Sequence, residues 1–285
     1  MDTANPLLAS QSTDEAPLTF LKSVSEIFIR FGEDTQDSGN ISYGVTYNEK
    51  RYFVKSAGRV DDEKTYFDHG QRVDMLRNAV RLNQGVAHPA LPKLYNVIES
   101  PEGPLLVYEW CSGELVRCPN HIREQPNSSF QRFRRLPLTE IRNCLDVIYQ
   151  LHKQLAKMGW IACDFYDGAM LYDFDRRVLR IIDLDHYHQG PFVNEMGRMF
   201  GSSRFMAPEE FEKGALIDER TTVFTLGRTA AVLLSDGSLE RTPFRGTDRL
   251  YEVVVQACEP NRNERFGSVA DFYHAWKNAD QGEIS

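Results

Sequence analysis

Residues 164–187, DFYDGAMLYDFDRRVLRIIDLDHY, crowd Asp164, Asp167, Asp173, Asp175, Asp183 and Asp185 around a strand-like VLRIIDLD core. Carboxylates this dense beside buried strands point to cation binding, to proton transfer, or to both. Far upstream, Lys55 ends the strand-like run YFVK and offers a cation. On its own, such a lysine is more commonly an exposed strand residue.

The elements that must position these groups follow from periodicity. A chain of 285 residues, 41% hydrophobic and 26% charged, suits one large domain or two lobes sharing a cleft. Its net charge of −8 argues against a general nucleic-acid or membrane-surface binder. No apolar run approaches the ~20 residues that span a bilayer, and the N-terminus lacks the basic-then-apolar form of a signal peptide. Cys111, Cys118, Cys144, Cys163 and Cys258 include no Cys-x-x-Cys pair, so reduced thiols in a cytoplasmic protein are expected. Residues 1–18 are polar and expected to be loose. SEIFIRF, ISYGVTY and RYFVKSA read as strands, residues 62–84 as a helix, and KLYNVIES with PLLVYEW as a hairpin. Residues 19–112 thus form a small sheet with one helix.

Residues 116–138 are irregular, and Arg117, Arg123, Arg132, Arg134 and Arg135 make them a basic island. A solvated charge run is the expectation there, with docking of an acidic partner as the alternative. Thr139 is expected to cap a long helix with Ile141, Leu145, Ile148, Leu151 and Leu155 on its apolar stripe, ended by Gly159. TTVFTLGRTAAVLL is apolar nearly all round and predicts a buried helix. LYEVVVQAC and SVADFYHAW complete a helical half spanning residues 113–285.

One further stretch, Gly201-Ser202-Ser203-Arg204-Phe205-Met206-Ala207-Pro208-Glu209, resembles the end of the activation segment of the Hanks-type (eukaryotic-like) Ser/Thr protein kinases. Other elements of that family fall in order from about Phe28 to Trp276, and the pattern resembles a divergent bacterial kinase-like group. The resemblance implies an α+β, two-lobed fold with a small β-rich N-lobe and a larger helical C-lobe. It implies ATP and Mg²⁺ as cofactors and a protein substrate, without nucleic acid or membrane. Lys55 takes the place of the lysine that holds the α/β-phosphates. Gly32 and Gly39 bound the phosphate-covering loop and Ile41 roofs the adenine. Tyr108 stands at the gatekeeper position, and Glu109 and Cys111 present backbone groups to the adenine edge. Asp164 takes the place of the base that accepts the substrate hydroxyl's proton. Asp183 takes the place of the metal-holding aspartate, and Arg265 that of the arginine paired with Glu209.

Several positions depart from the family. Glu33, Asp34 and Asp37 stand in the glycine loop, and Ala162, Cys163 and Tyr166 replace His, Arg and Lys around Asp164. Ala169 replaces a metal-binding asparagine, Asp185 a glycine, and Thr222 a buried aspartate. Asn78 or Ala79 falls where the helix glutamate that pairs with the lysine belongs, with Asp74 one turn earlier as a substitute. Because residues two apart on extended chain face one side, Asp185 is expected either to supply the lost ligand or to cap the following turn. Asp167 is a further candidate ligand. Phosphoryl transfer to Ser or Thr of a protein is the expected activity. The alternatives are a pseudokinase serving as a nucleotide-binding or scaffold module and, more weakly, a small-molecule phosphotransferase.

Overall fold

The computed structural model describes residues 4–32, 39–61 and 65–281, and the chain divides into two compact units, Met1–Ser112 and Gly113–Ser285. The first unit is built on an antiparallel sheet of Glu26–Phe31 (β1), Ile41–Tyr47 (β2), Lys50–Ser56 (β3), Leu94–Ile98 (β4) and Leu105–Glu109 (β5), in the order β1-β2-β3-β5-β4. Asn48 and Glu49, both at positive φ, join Tyr47 to Lys50 in the two-residue turn whose twist matches an antiparallel hairpin. One face of the sheet buries Tyr43, Val45, Tyr52, Val54, Leu105 and Val107. The other packs Leu106 against Leu76 and Ala79 of a helix, His69–Gly85 (α3). Lys55 pairs in register with Leu106 and therefore shares the α3 face.

Two boundaries differ from the sequence expectation. The N-terminal residues are held, because two short helices, Pro6–Ala9 (α1) and Pro17–Val24 (α2), bury Leu7, Phe20 and Leu21 in the sheet core. Asn96 Nδ2 donates to the carbonyls of Leu7 and Ser10 at 3.1 and 2.8 Å, and Asn5 Nδ2 to Tyr52 Oη at 2.9 Å. Apolar residues spaced among polar ones find a surface that only the folded sheet provides. The helix expected from residue 62 begins at His69, where Asp68 and Gln71 form a reciprocal capping box. Residues 62–64 lie outside the described residues.

The second unit is mainly helical: Ser129–Arg134 (α4), Leu138–Lys157 (α5), Glu219–Leu234 (α6), Asp248–Ala257 (α7) and Val269–Gln281 (α8). Thr139 lies in the first turn of α5, with extended Pro137 at the cap, since proline presets the φ of the entering chain. Gly159 follows the last turn at φ +81, as expected of a helix-ending glycine. α6 is buried nearly all round, and Tyr149 of α5 meets Phe272 and Trp276 of α8 edge-on. α4, capped by Ser128, occupies part of the stretch expected to be irregular. Short strands complete the unit. Glu114–Leu115 (β6), Met170–Asp173 (β8) and Val178–Ile181 (β9) form one sheet, Trp160–Ile161 (β7) pairs with His188–Gln189 (β10), and Phe192–Val193 (β11) with Leu216–Ile217 (β12). Among the described residues no helix is long and apolar enough to cross a membrane.

The loop from β11 to α6 is anchored by charge. Arg265 Nη1 and Nη2 donate to Glu209 Oε1 and Oε2 at 2.7 and 3.0 Å, and the two side chains are 0% and 8% exposed. Thr221 Oγ1 also donates to Glu209 Oε1. Removing one member of a buried pair strands the other charge, at a cost of about 3–5 kcal/mol. Arg265→Met should therefore lower the unfolding free energy by about that amount in urea titration. Glu209→Gln added to it should recover part of the loss, because no buried charge then remains.

Candidate functional site

In the first unit Lys55 and Tyr108 lie on the α3 face of the sheet, whereas Ile41 belongs to the core on the opposite face. Lys55 is 7% exposed, which removes the reading of a surface strand lysine. An ammonium at that depth needs anions or dipoles around it. Ile41 is buried at the start of β2 and pairs with Ser56, whose Oγ donates to the Ile41 carbonyl at 2.9 Å. Tyr108 packs against Leu76, Ala79 and Leu106. The Glu109 N–H donates to Lys93 O at 2.8 Å, and the Cys111 thiol lies 4.0 Å from the Glu109 carbonyl. Gly32 is described, whereas Glu33, Asp34 and Asp37 of the same loop lie outside the described residues.

The charged residue on the buried face of α3 is a cation. Arg72 is fully buried and donates to the carbonyls of Gly39 at 2.8 Å and Arg59 at 2.7 Å. Gly39 sits at φ +85, and a Cβ there would lie 2.5 Å from Arg72 Nη1 and 2.3 Å from Thr65 Cγ2. This glycine is thus needed by its own conformation and by the guanidinium packed on it. Asp74, expected as a substitute carboxylate, is exposed, because two residues carry it about 200° around the helix from Arg72. Asn78 accepts from Arg81 and Ala79 is buried. Sequence reading missed Arg72, although its spacing from Leu76 and Ala79 already put it on the apolar stripe.

In the second unit Asp164 follows β7 in a loop with left-handed backbone, φ +59, a conformation rare for non-glycine residues outside functional or strained sites. The Ala162 N–H just before it donates to Thr222 Oγ1 at 3.0 Å. The threonine at the departed aspartate position thereby fixes the loop to α6. His186 Nε2 lies 4.0 Å from Asp164 Oδ2, and this neighbour also went unread. Gly201, at φ +122, brings its backbone beside the carboxylate: a Cβ there would stand 3.3 Å from Asp164 Oδ1. Tyr166 lies over Gly168, where any Cβ would meet its ring at 2.4 Å. Burial, with the Asp164 charge behind it, pushes the Tyr166 phenol up to about 12, so it remains a neutral donor at pH 7. Below the loop, His152 Nδ1 donates to Ile148 O and its Nε2 is hydrogen-bonded to Tyr187 Oη, both at 2.7 Å.

The remaining aspartates separate by environment. Asp183, at φ +61, is exposed, whereas Asp185 is 6% exposed in a turn closed by Tyr187 N–H to Leu184 O. The left-handed residue breaks the extended alternation, so the expectation that the two face one side does not hold. Asp167 is fully buried and its Oδ2 accepts from Arg204 Nη2 at 2.5 Å. Its Oδ1 has no donor among the described residues. Of the three candidate ligands, Asp167 already has a cation. Asp173 Oδ1 accepts from the Asp175 and Arg176 N–H groups and shapes the β8–β9 turn. Ala169 is buried and carries no donor atom. No cluster of three or more metal-ligating side chains occurs among the described residues. All five cysteines are free, and burial pushes Cys144 and Cys258 up to about 12, which disfavours a thiolate nucleophile.

No family model matches the chain. Two curated proteins are similar to it, both named serine/threonine-protein kinase 1, from African swine fever virus. The protein of isolate Tick/Malawi/Lil 20-1/1983 is 22% identical over 205 residues, covering 66% of this chain and 64% of the viral protein. The chain thus spans slightly under two thirds of that relative's length. The protein of strain Badajoz 1971 is 20% identical over 235 residues, covering 73% of this chain and 79% of its own.

Two adjacent glutamates beside the loop titrate in opposite directions. Burial works to raise Glu209, but the hydrogen bonds and charge of Arg265 hold it below the ordinary carboxylate range. Glu210, also buried, is pushed up to about 8 by desolvation, with the Glu209 and Asp164 charges adding to it and the Ala207 N–H opposing. Between an ordinary pKa of 4.5 and about 8, the folded state keeps a proton that the unfolded state releases. Stability should therefore fall as pH rises through this window, by up to about 1.4 kcal/mol per pH unit. Glu210→Gln keeps an acceptor for Ala207 and should flatten that slope in urea unfolding at pH 5 to 8. Parallel wild-type and variant curves would show that Glu210 does not hold the proton.

Proposed function

We propose that the chain is a kinase-like phosphotransferase that moves the γ-phosphoryl group of ATP to a Ser or Thr hydroxyl of a protein. The observation that carries this reading is the approach of Asp164 to Gly201, the first residue of the segment that ends in the anchored Ala207-Pro208-Glu209. A left-handed aspartate facing the backbone of a pinned loop is arranged to meet a hydroxyl presented along that loop. The viral proteins named as serine/threonine kinases agree with it.

The acceptor proton passes to the Asp164 carboxylate while the hydroxyl oxygen bonds to the γ-phosphorus and the bond from that phosphorus to the departing ADP oxygen breaks. Transfer of this kind depends on positioning and charge neutralisation more than on covalent chemistry. Lys55 would hold the α/β-phosphates from the α3 face, with Gly32, Gly39 and Ile41 covering the nucleotide and Tyr108, Glu109 and Cys111 lining its adenine. The carboxylate of Asp183, on an exposed residue, suits a hard cation that draws its other ligands from phosphate and water, and Asp185 is the second candidate. Mg²⁺ bound there would neutralise charge on the phosphates. Tyr166 adds a neutral hydrogen-bond donor where the family has a cation.

A nucleotide-binding scaffold is the second reading, favoured by Ala169 and by the cation Arg72 on the α3 face. Calorimetry with ATP, with and without Mg²⁺, separates the two together with a transfer assay. Wild type should bind in a Mg²⁺-dependent way that Asp183→Asn loses. Asp164→Asn should keep nucleotide affinity while transfer falls by at least about 10²-fold. Unchanged turnover in that variant would remove Asp164 from the mechanism, and Mg²⁺-dependent binding without wild-type turnover would favour the scaffold.

A further inference from the structure

Several arginines of the second unit are held by carboxylates or by carbonyls of the fold. Arg132 forms an ion pair with Glu114 at 2.8 Å and Arg204 with Asp167. Arg134 donates to the Ser235 carbonyl and Arg135 to the Gln131 carbonyl. Most of the basic island is therefore consumed by the fold. Arg117 and Arg198 differ: both are exposed, and neither has a carboxylate partner among the described residues.

Both are also tied to the surroundings of Asp164. The Arg117 N–H donates to Asp167 O at 3.0 Å, and its guanidinium lies 5.6 Å from the Tyr166 ring centroid. Stacking on a ring occupies the guanidinium's face and leaves its N–H edges for other acceptors. Arg198 donates to the carbonyls of Met199 and Gly201, each at 3.2 Å, and Gly201 is the residue whose backbone meets Asp164. In a chain of net charge −8, two exposed guanidiniums without a carboxylate partner among the described residues thus stand by the Asp164 loop and the segment facing it.

Building on the reading of Asp164 as base, we infer that Arg117 and Arg198 select acidic substrate segments, pairing with Asp or Glu side chains that flank the acceptor hydroxyl. A guanidinium matches a carboxylate bidentately, and complementary charge sets partner choice and encounter rate more than total affinity. The two arginines are specificity determinants, distinct from the groups that carry out transfer.

The test uses the full chain with two fluorescein-labelled Ser peptides of equal length, one flanked by Glu and one by Lys. Wild type should phosphorylate the Glu peptide with at least about fivefold higher kcat/KM, an advantage that shrinks in high salt. Arg117→Glu combined with Arg198→Glu should bring that ratio below one at an unchanged melting temperature. Equal kcat/KM for the two peptides, or an undiminished preference in the reversed variant, would overturn the inference. If the double variant fails to melt cooperatively, Arg117→Gln and Arg198→Gln singly should each reduce the same ratio. Fluorescence anisotropy with the same peptides keeps this separate from the question of activity. Tighter Glu-peptide binding that the reversal abolishes supports the surface even if no phosphate is transferred, and equal binding refutes it.

Discussion

The buried pair of Glu209 and Arg265 is the constraint on which the second unit's loop architecture depends. A carboxylate and a guanidinium this far from water are tolerable only with near-ideal geometry and full hydrogen bonding. Both conditions are met: the pair is bidentate, Thr221 donates to the carboxylate, and Arg265 also reaches the carbonyls of Glu259, Pro260 and Arg220. The side chain of Asn194 extends the same anchorage, donating to the Glu209 and Gly197 carbonyls while accepting from Met196 and Gly197 N–H groups. Residues 194–211 thus have little freedom to drift from α6.

That anchorage gives the Asp164 loop something fixed to face. The loop is held from below by Thr222 and braced beneath by the buried His152–Tyr187 pair, with the His152 ring 4.5 Å from Phe165. The Arg204–Asp167 ion pair ties loop and segment directly, and Arg228 Nε holds the Arg204 carbonyl at 2.9 Å. Positioning accounts for much of the rate of phosphoryl transfer. A fold that invests buried charge in holding two loops together is therefore consistent with the proposed chemistry, while Ala169 and Arg72 mark departures from the family it resembles.

Much of the architecture was legible from local pattern. The β2–β3 hairpin, the apolar stripe of α5 and the all-round burial of α6 follow from periods of 2 and 3.6 and from turn chemistry, which act over a few residues. The Glu209–Arg265 pairing was legible only through resemblance, since 56 residues separate its members. The helices of the N-terminus, the start of α3 and the cap of α5 were misjudged. Each depends on what surface the chain meets or on a capping alternative one or two residues away.

The sequence alone determined the main strands, the long helices and where the acidic stretch lies, because propensity and periodicity are local properties. Tertiary structure decided what each charged residue does. It turned Asp183 outward and Asp185 inward, gave Asp167 to Arg204, bound Arg72 to the Gly39 and Arg59 carbonyls, and left Arg117 and Arg198 exposed. The reason is physical: burial and ion pairing depend on groups remote in sequence, and desolvation makes their consequences larger than any local preference.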